Sequence, residues 1–559
     1  MLTVAAGLAT SQQPLVQALV KTIHQTSNFG RALFSFNIPV KLPIPHLAHS
    51  HPPIMVNRSP HNVVHPENEN DDQAPRQSHG KPPELPTLFA EIVFVVVSSV
   101  GQLLFAIMLA NTLVNQITLI DALGLDGSKS PWLIGSFCLA NGVSVVVSGS
   151  LADLANPKWL TVGALVWLTV WNLIGVFSIT PSRMVLHFVV RAMIGLAVGM
   201  IQSTAVSMLG RIYKPGQRKT TVFSSMAAMI PLGFGVGALQ GGAFSAHLHW
   251  VFGSTAIMCA VGTVAAYWAV PNLPPSFGLM GEEKVSFKDF DYLGAAISVG
   301  GCGLLIFGLT QGAPTHWTPY TYSFVIVGIL LLVVFYFVER WVSRPLIDNR
   351  LWKTPGMIWL LISYFLGYGA FNGAWMFYAV RFFLTIQDRP PIIAALYFIP
   401  LAISGTVATV VVAKTLHVFP GHYILICSMI AFALGPVFFL PQTSSTIYWA
   451  LSFPGVILVA FGPDMSFAAA SIYVTSNVPK SFQGSAGSLL VTMQNLSSAI
   501  FTAIGDTIGE CVSKGEGYNL SLDALRAIWW FSLATSLLSA LICGIFVRIP
   551  KAEEKEHLQ

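Results

Sequence analysis

Two ionisable side chains stand deep inside apolar runs, where the chemistry open to them is holding and releasing a proton or a charged group. Arg191 lies in MVLHFVVRAMIGLAVGMIQSTAVSML, residues 184–209, a run long enough to cross a bilayer. A charge at that depth costs at least ~2.5–3.5 kcal/mol, so the side chain must face protein or a water-filled cavity. It is expected to hold an anionic substrate group or a carboxylate partner. Asp464, in FGPDMSFAAA, interrupts the apolar run 447–473. At a rise of about 1.5 Å per residue it sits on the order of 15 Å from each end of that run, within the hydrocarbon layer. A carboxyl so placed can exchange a proton with either side, and a motion that changes its distance from Arg191 changes its hold on that proton. The other acids of the apolar part, Glu91, Asp121, Glu339 and Asp506, lie near segment ends. A purely structural Asp464, bonded to a neighbouring helix beside Pro463, is the competing reading.

Uncharged groups suggest where a substrate would sit. Gly195 and Gly199 follow Arg191 at four-residue steps and Gln202 lies eleven residues on, so a helix carries all four on one stripe. In SYFLGYGAFNGAWMFYAV, the residues Tyr364, Tyr368, Phe371 and Trp375 fall at i, i+4, i+7 and i+11. With Asn372 beside them, that stripe suits a cavity for planar, weakly polar ligands; helix packing and an aromatic belt are the alternative. Asn111, Gln494 and Asn495 add polar groups in other segments. Gly233, Gly237 and Gly241 recur every four residues and Gly242 follows, stripping side chains from one face so that another helix can approach.

The elements that carry these residues are fourteen apolar segments, near 88–112, 131–151, 159–179, 184–209, 221–243, 250–270, 292–311, 322–341, 356–380, 392–413, 420–440, 447–473, 484–508 and 527–547. Composition agrees: 54% of the 559 residues are hydrophobic and 9% are charged, against roughly 25% charged in soluble domains. The net charge of +5 needs no nucleic-acid partner, because the cations gather in loops on one side. Loops assigned inside hold thirteen Lys and Arg, among them Lys158, Arg211, Lys214, Arg218 and Lys219, against six outside, which predicts cytosolic termini. Residues 1–86 are Pro-, His- and Asn-rich without periodicity and read as a disordered cytosolic segment, which a start at Met55 would reduce to a short polar tail.

The six cysteines are scattered, five in apolar segments and Cys511 in a loop, so neither a disulfide framework nor a metal site is expected, and no cofactor motif is present. Asn519-Leu520-Ser521 in the last outside loop is a glycosylation sequon; Asn495-Leu496-Ser497 fits the pattern but lies within lipid.

Several strings resemble the major facilitator superfamily. Arg191-x3-Gly195-x3-Gly199 resembles its fourth-helix motif. Gly233-x3-Gly237-Ala238-x2-Gly241-Gly242 resembles the fifth-helix motif of its exporters, with Ala238 where the family has proline. Gly149-Ser150-Leu151-Ala152-Asp153, then Lys158, is similar to the cytoplasmic motif, in which Asp153 would latch a helix end in one conformation; Leu154, Asn156 and Pro157 depart from it. Leu109-Ala110-Asn111-Thr112-Leu113-Val114-Asn115 keeps the frame of a first-helix string of fourteen-helix drug:proton antiporters, but Ala110 replaces the acid, so coupling would need another carboxyl. FGPDMSF and VPKSFQGSAGSLL, over a resemblance running from about 90 to 550, are similar to fungal aminotriazole-resistance-type transporters.

The resemblance implies an all-α polytopic fold: a bundle at 87–270, a cytosolic loop at 271–291, an added helix pair at 292–345, a second bundle at 346–550 and a cytosolic tail at 551–559. It implies a monomer in the lipid bilayer of the fungal plasma membrane, or of the vacuole, exporting a small amphipathic drug, toxin or secondary metabolite in exchange for protons. Proton-linked uptake and a sensor that has lost transport stay open as rivals. A membrane-embedded enzyme is disfavoured, since His187, His247, His249, His316, His417 and His422 lie far apart and none pairs with an acid at catalytic spacing.

Overall fold

The computed structural model describes residues 85–549 apart from 86, 126–128, 130, 214–216, 274–289, 313–314, 343–344, 348–351, 416–417, 478–482 and 514–519. The expectations set for residues 1–84, most of the 271–291 loop, Asn519 and the tail therefore fall outside the described residues.

Fourteen helices are long and apolar enough to span a bilayer. The first six are α1 (Leu88–Val114), α2 (Trp132–Ala152), α3 (Pro157–Val176), α4 (Pro181–Ile212), α5 (Thr221–Ala243) and α6 (His249–Ala269). Then come α7 (Tyr292–Gly312) and α8 (Pro319–Trp341). The last six are α9 (Met357–Ile386), α10 (Pro391–Val412), α11 (Gly421–Phe439), α12 (Ser452–Ser471), α13 (Gly487–Ser513) and α14 (Leu522–Phe546). Each falls on a segment expected from hydropathy. Their ends follow local chemistry. Proline opens α3, α8 and α10, where its missing N–H is no loss, and Ser521 caps α14 by accepting from Ala524 N.

Small residues set how closely the helices pack. A Cβ at Gly233 or Gly237 would strike the α1 backbone at Leu103 and Ile107, and one at Gly241 would lie 2.8 Å from Asn111 Cα. The glycine ladder thus presses α5 onto α1. Gly195 and Gly199 do the same for α4 against Phe137 and Asn141 of α2. Ser144 Oγ donates to Leu196 O at 2.6 Å and Asn141 Nδ2 to Gly195 O at 3.3 Å, so short polar side chains reinforce that contact.

The first six helices meet the last six along two seams. In one, α13 packs on α2 and α4: Thr492 Oγ1 donates to Gly142 O at 3.1 Å, and Gly487 lies against Val206. In the other, α10 packs on α5, with Gly235 facing Ala402 and Gly242 facing Ile392. The α7–α8 pair packs tightly on itself, and α7 leans on α2 and α13, over the first seam only. The outer face of α8, with Ile326, Leu330 and Phe337 each at least half exposed, is suited to acyl chains.

Irregularities in two of the helices bear on the site. The stretch Gly369–Met376 of α9 is a π-helix. Within α12 the first turns end at Val459, and a new helix runs Phe461–Asn477. Asp464 accordingly sits in the first turn of a half-helix, not midway along a continuous one as the sequence suggests.

Candidate functional site

A cavity of about 530 Å³, counted to its open side, lies midway along the helices, between the two bundles. Phe105 and Leu109 of α1 and Pro231 and Phe234 of α5 line one wall. Tyr368, Phe371, Asn372 and Met376 of α9, Leu401 of α10, Pro463 and Asp464 of α12 and Gln494 of α13 line the other. The lining is apolar and aromatic with one acid and two amides, and no Lys, Arg or His belongs to it.

Asp464 is buried and makes no hydrogen bond or ion pair among the described residues. Pro231 and the small Gly405 flank it: a Cβ at Gly405 would lie 2.6 Å from Asp464 Oδ2 and 2.7 Å from Pro231 Cβ. Pro231 lies inside α5, two turns before Ala238, so a proline is present in that helix although the motif's own is not. Tyr368 donates its hydroxyl proton to Pro463 O at 2.7 Å, fastening α9 to the start of the half-helix that carries Asp464.

The aromatic stripe is divided. Tyr368 and Phe371 face the cavity with Asn372, whereas Tyr364 and Trp375 are fully buried away from it. Trp375 stacks on Phe371 at 5.7 Å and meets Phe439 edge-on at 5.3 Å; Tyr364 lies 4.5 Å from Tyr368, ring centre to ring centre. Tyr364 precedes the π-helix, one regular turn before Tyr368; for Trp375 the cause is the π-helix. Its i→i+5 bonding turns each residue through a smaller angle than an α-helix does, so a stripe drawn at 3.6 residues per turn loses its register.

Two of the amides also point elsewhere. Gln202 donates to Gln102 Oε1 at 2.8 Å, bridging α4 and α1, and lines no described cavity. Asn495 donates to Val491 O at 2.8 Å and packs on Gly142 in the first seam. Gln494 is the member of that pair in the central cavity. Asn111 donates to Gln240 Oε1 at 3.3 Å and lines a second cavity, inside the first bundle, with Arg191. Arg191 and Asp464 thus line different cavities, and no carboxylate pairs with Arg191 among the described residues. The guanidinium instead donates to the carbonyl oxygens of Leu133 and Met108 and lies 4.7 Å over the Phe137 ring.

In the cytoplasmic motif, Gly149 is buried in α2, and the side chain of Asp153 is outside the described residues. Lys158 places its ammonium over the Tyr267 ring of α6 at 5.2 Å, within its own bundle. Cys511, read as a loop residue, is exposed at the end of α13, and Cys427 is exposed on α11.

Two polar clusters escaped sequence reasoning. At the start of α1, Glu91 accepts from Arg218 Nε at 2.8 Å, from Arg218 Nη2, and from the Tyr213 hydroxyl at 3.1 Å. Burial, and then the Glu91 carboxylate, push the Tyr213 phenol above its usual range, while the bond to Glu91 raises Arg218. In the second bundle Tyr378 donates to Asp506 Oδ1 at 2.9 Å. Each joins groups more than a hundred positions apart, a pairing that a single sequence does not signal.

Helices from both halves converging on a midplane cavity define an integral membrane transporter of the alternating-access kind. Residues 97–289 match the Major Facilitator Superfamily. A low affinity ammonium transporter of Saccharomyces cerevisiae is 31% identical over 432 residues, covering 76% of this chain and 80% of that protein. The aminotriazole resistance protein of the same yeast is 27% identical over 464 residues, 82% of this chain and 84% of its own length. The efflux pump terJ of Aspergillus terreus is 28% identical over 472 residues, 82% and 88%. Among solved structures, a D-xylose-proton symporter superposes with a TM-score of 0.56 at 15% identity, covering 83% of this chain and 99% of that one, a likeness of fold. The chain belongs to the major facilitator superfamily.

Proposed function

We propose that the protein exports a small amphipathic organic compound, a drug, toxin or secondary metabolite, in exchange for protons, with both termini cytosolic and the plasma membrane as its site. The observation that carries this reading is the unpaired Asp464 carboxyl in a central cavity walled by aromatic rings and free of cationic side chains. An acid among Phe105, Phe234, Tyr368 and Phe371 attracts a compound with an apolar body and a weakly cationic head. Substrate and proton then compete for one carboxyl, which is the minimum an antiporter needs. The similarity to an efflux pump supports the outward direction.

The similarity to an ammonium transporter favours a second reading, in which the same acid serves uptake of a small cation. Everted membrane vesicles separate the two. Under an imposed pH gradient, export predicts accumulation of a lipophilic cationic dye, and uptake predicts none while intact cells take up methylammonium. Asp464→Asn keeps the size and hydrogen bonding of the side chain but cannot titrate. It should lose gradient-driven accumulation and bind the dye more weakly, with an affinity that no longer changes with pH. Wild-type accumulation by this variant would sink the assignment of coupling to Asp464.

A further inference from the structure

The second cavity lies wholly within the first bundle, between α1, α3, α4 and α6, and shares no lining residue with the central one. Its polar lining includes Asn111, Thr112, Asn115, His187, Arg191 and Thr255. Leu119 and Leu248 place one end of it near the helix ends, on the face opposite the Arg211–Arg218 loop.

Three buried polar groups there lack a protein partner. Arg191, with 2% of its surface exposed, uses Nε and Nη1 on the carbonyls of Leu133 (3.2 Å) and Met108 (3.3 Å), but Nη2 has none. His187 is fully buried; its Nδ1 lies 3.1 Å from Ser178 Oγ, and Nε2 is unpartnered. Asn115 donates to Asn111 O and Gly241 O, leaving Oδ1 unused.

Two carbonyls and a ring face satisfy donors of Arg191 without neutralising its charge. An uncompensated charge in such a place is costly, and an arginine does not escape by giving up its proton. We propose that this cavity binds one small monovalent anion, a halide or a carboxylate of one or two carbons, against Arg191 Nη2. Ser178 Oγ donates to Gly175 O at 2.8 Å; when that hydroxyl turns instead to His187 Nδ1, 3.1 Å away, the imidazole carries its proton on Nε2 and donates to the same anion. Asn115 Oδ1 accepts from a water that accompanies it. The proposal stands whether or not an amphipathic compound is exported through the central cavity.

The site has a reason to matter beyond charge balance. Asn111, in its wall, bonds Gln240 of α5, and α1 also carries Phe105 and Leu109 of the central cavity. An anion held by Arg191 and His187 of α4, with Asn115 at the end of α1 accepting from its water, therefore ties α4 to the helix that lines the transport route.

The test uses the purified full chain in detergent, dialysed into gluconate at fixed pH and ionic strength. Radioactive chloride is added and binding measured at equilibrium, with formate and acetate as competitors; the melting temperature is followed in parallel. Saturable binding near one ion per chain, displaced by formate, is expected, with a melting temperature that rises as the site fills. Arg191→Gln should abolish binding, and His187→Asn should weaken it at least several-fold. Asp464→Asn, in the other cavity, should bind chloride as the wild type does. Absence of saturable binding to the wild type would overturn the proposal even if Arg191→Gln fails to fold. Unchanged binding in His187→Asn would overturn it as well, by locating the ion elsewhere.

Discussion

Gly241→Ala tests whether the glycine ladder of α5 holds the first bundle together. An ideal Cβ there lies 2.8 Å from Asn111 Cα, 2.9 Å from Asn115 Nδ2 and 3.0 Å from Asn111 O. Carbon atoms rest at about 3.5–4.0 Å, so α5 must move off α1 by roughly 0.7 Å or more. Such overpacking costs about 1–3 kcal/mol. The movement also stretches the 2.8 Å bond from Asn115 Nδ2 to Gly241 O, worth about 0.5–1.5 kcal/mol. Alanine returns up to ~1 kcal/mol through its better helix propensity. The net loss is therefore about 2 kcal/mol. Gly163→Ala in α3 is the control, because nothing lies within 4 Å of its Cβ position and only the propensity gain remains. Unfolding both variants by titrating a denaturing detergent into mixed micelles reads the difference directly. If Gly241→Ala is as stable as Gly163→Ala, close approach of α1 and α5 does not hold the bundle, and the packing account is wrong.

Tyr213 gives a signature in alkali. Its phenol is raised by burial and by Glu91, so above the ordinary tyrosine value of about 10 the unfolded chain ionises first, and stability falls as pH rises. Tyr213→Phe should flatten that alkaline fall in a thermal-melt series, and an unchanged slope would contradict the burial of this hydroxyl. Tyr368→Phe removes the 2.7 Å bond that fastens α9 to Pro463. It should cost about 1 kcal/mol of stability and alter dye affinity, and wild-type values for both in melting and equilibrium-binding assays would refute the role given to that bond.

The spans were legible because a bilayer imposes one demand, about twenty apolar residues in a row, and every run that meets it became a helix. Gly233, Gly237 and Gly241 were legible as a contact face for the same kind of reason, though the partner helix was not. What escaped is where two distant parts meet or a helix changes its pitch. Trp375 leaves the cavity because the backbone winds as a π-helix from Gly369, and nothing in SYFLGYGAFNGAWM announces it. Asp464 looks mid-helix until the break at Ala460 puts it in a first turn. Glu91 and Arg218 each look like ordinary residues at a segment end, and only folding brings them together across 127 positions.

The added pair α7–α8 makes the two seams unequal neighbours of the membrane. It covers the α2–α13 seam and leaves the α5–α10 seam facing lipid. Pro231 of α5 and Leu401 of α10, on that second seam, both line the midplane cavity. Along that seam Gly235 meets Ala402, Gly242 meets Ile392, and Phe234 lies 6.1 Å from Phe398, ring centre to ring centre. The added pair therefore stands between the bilayer and one seam of the two bundles, and the other seam has no such screen.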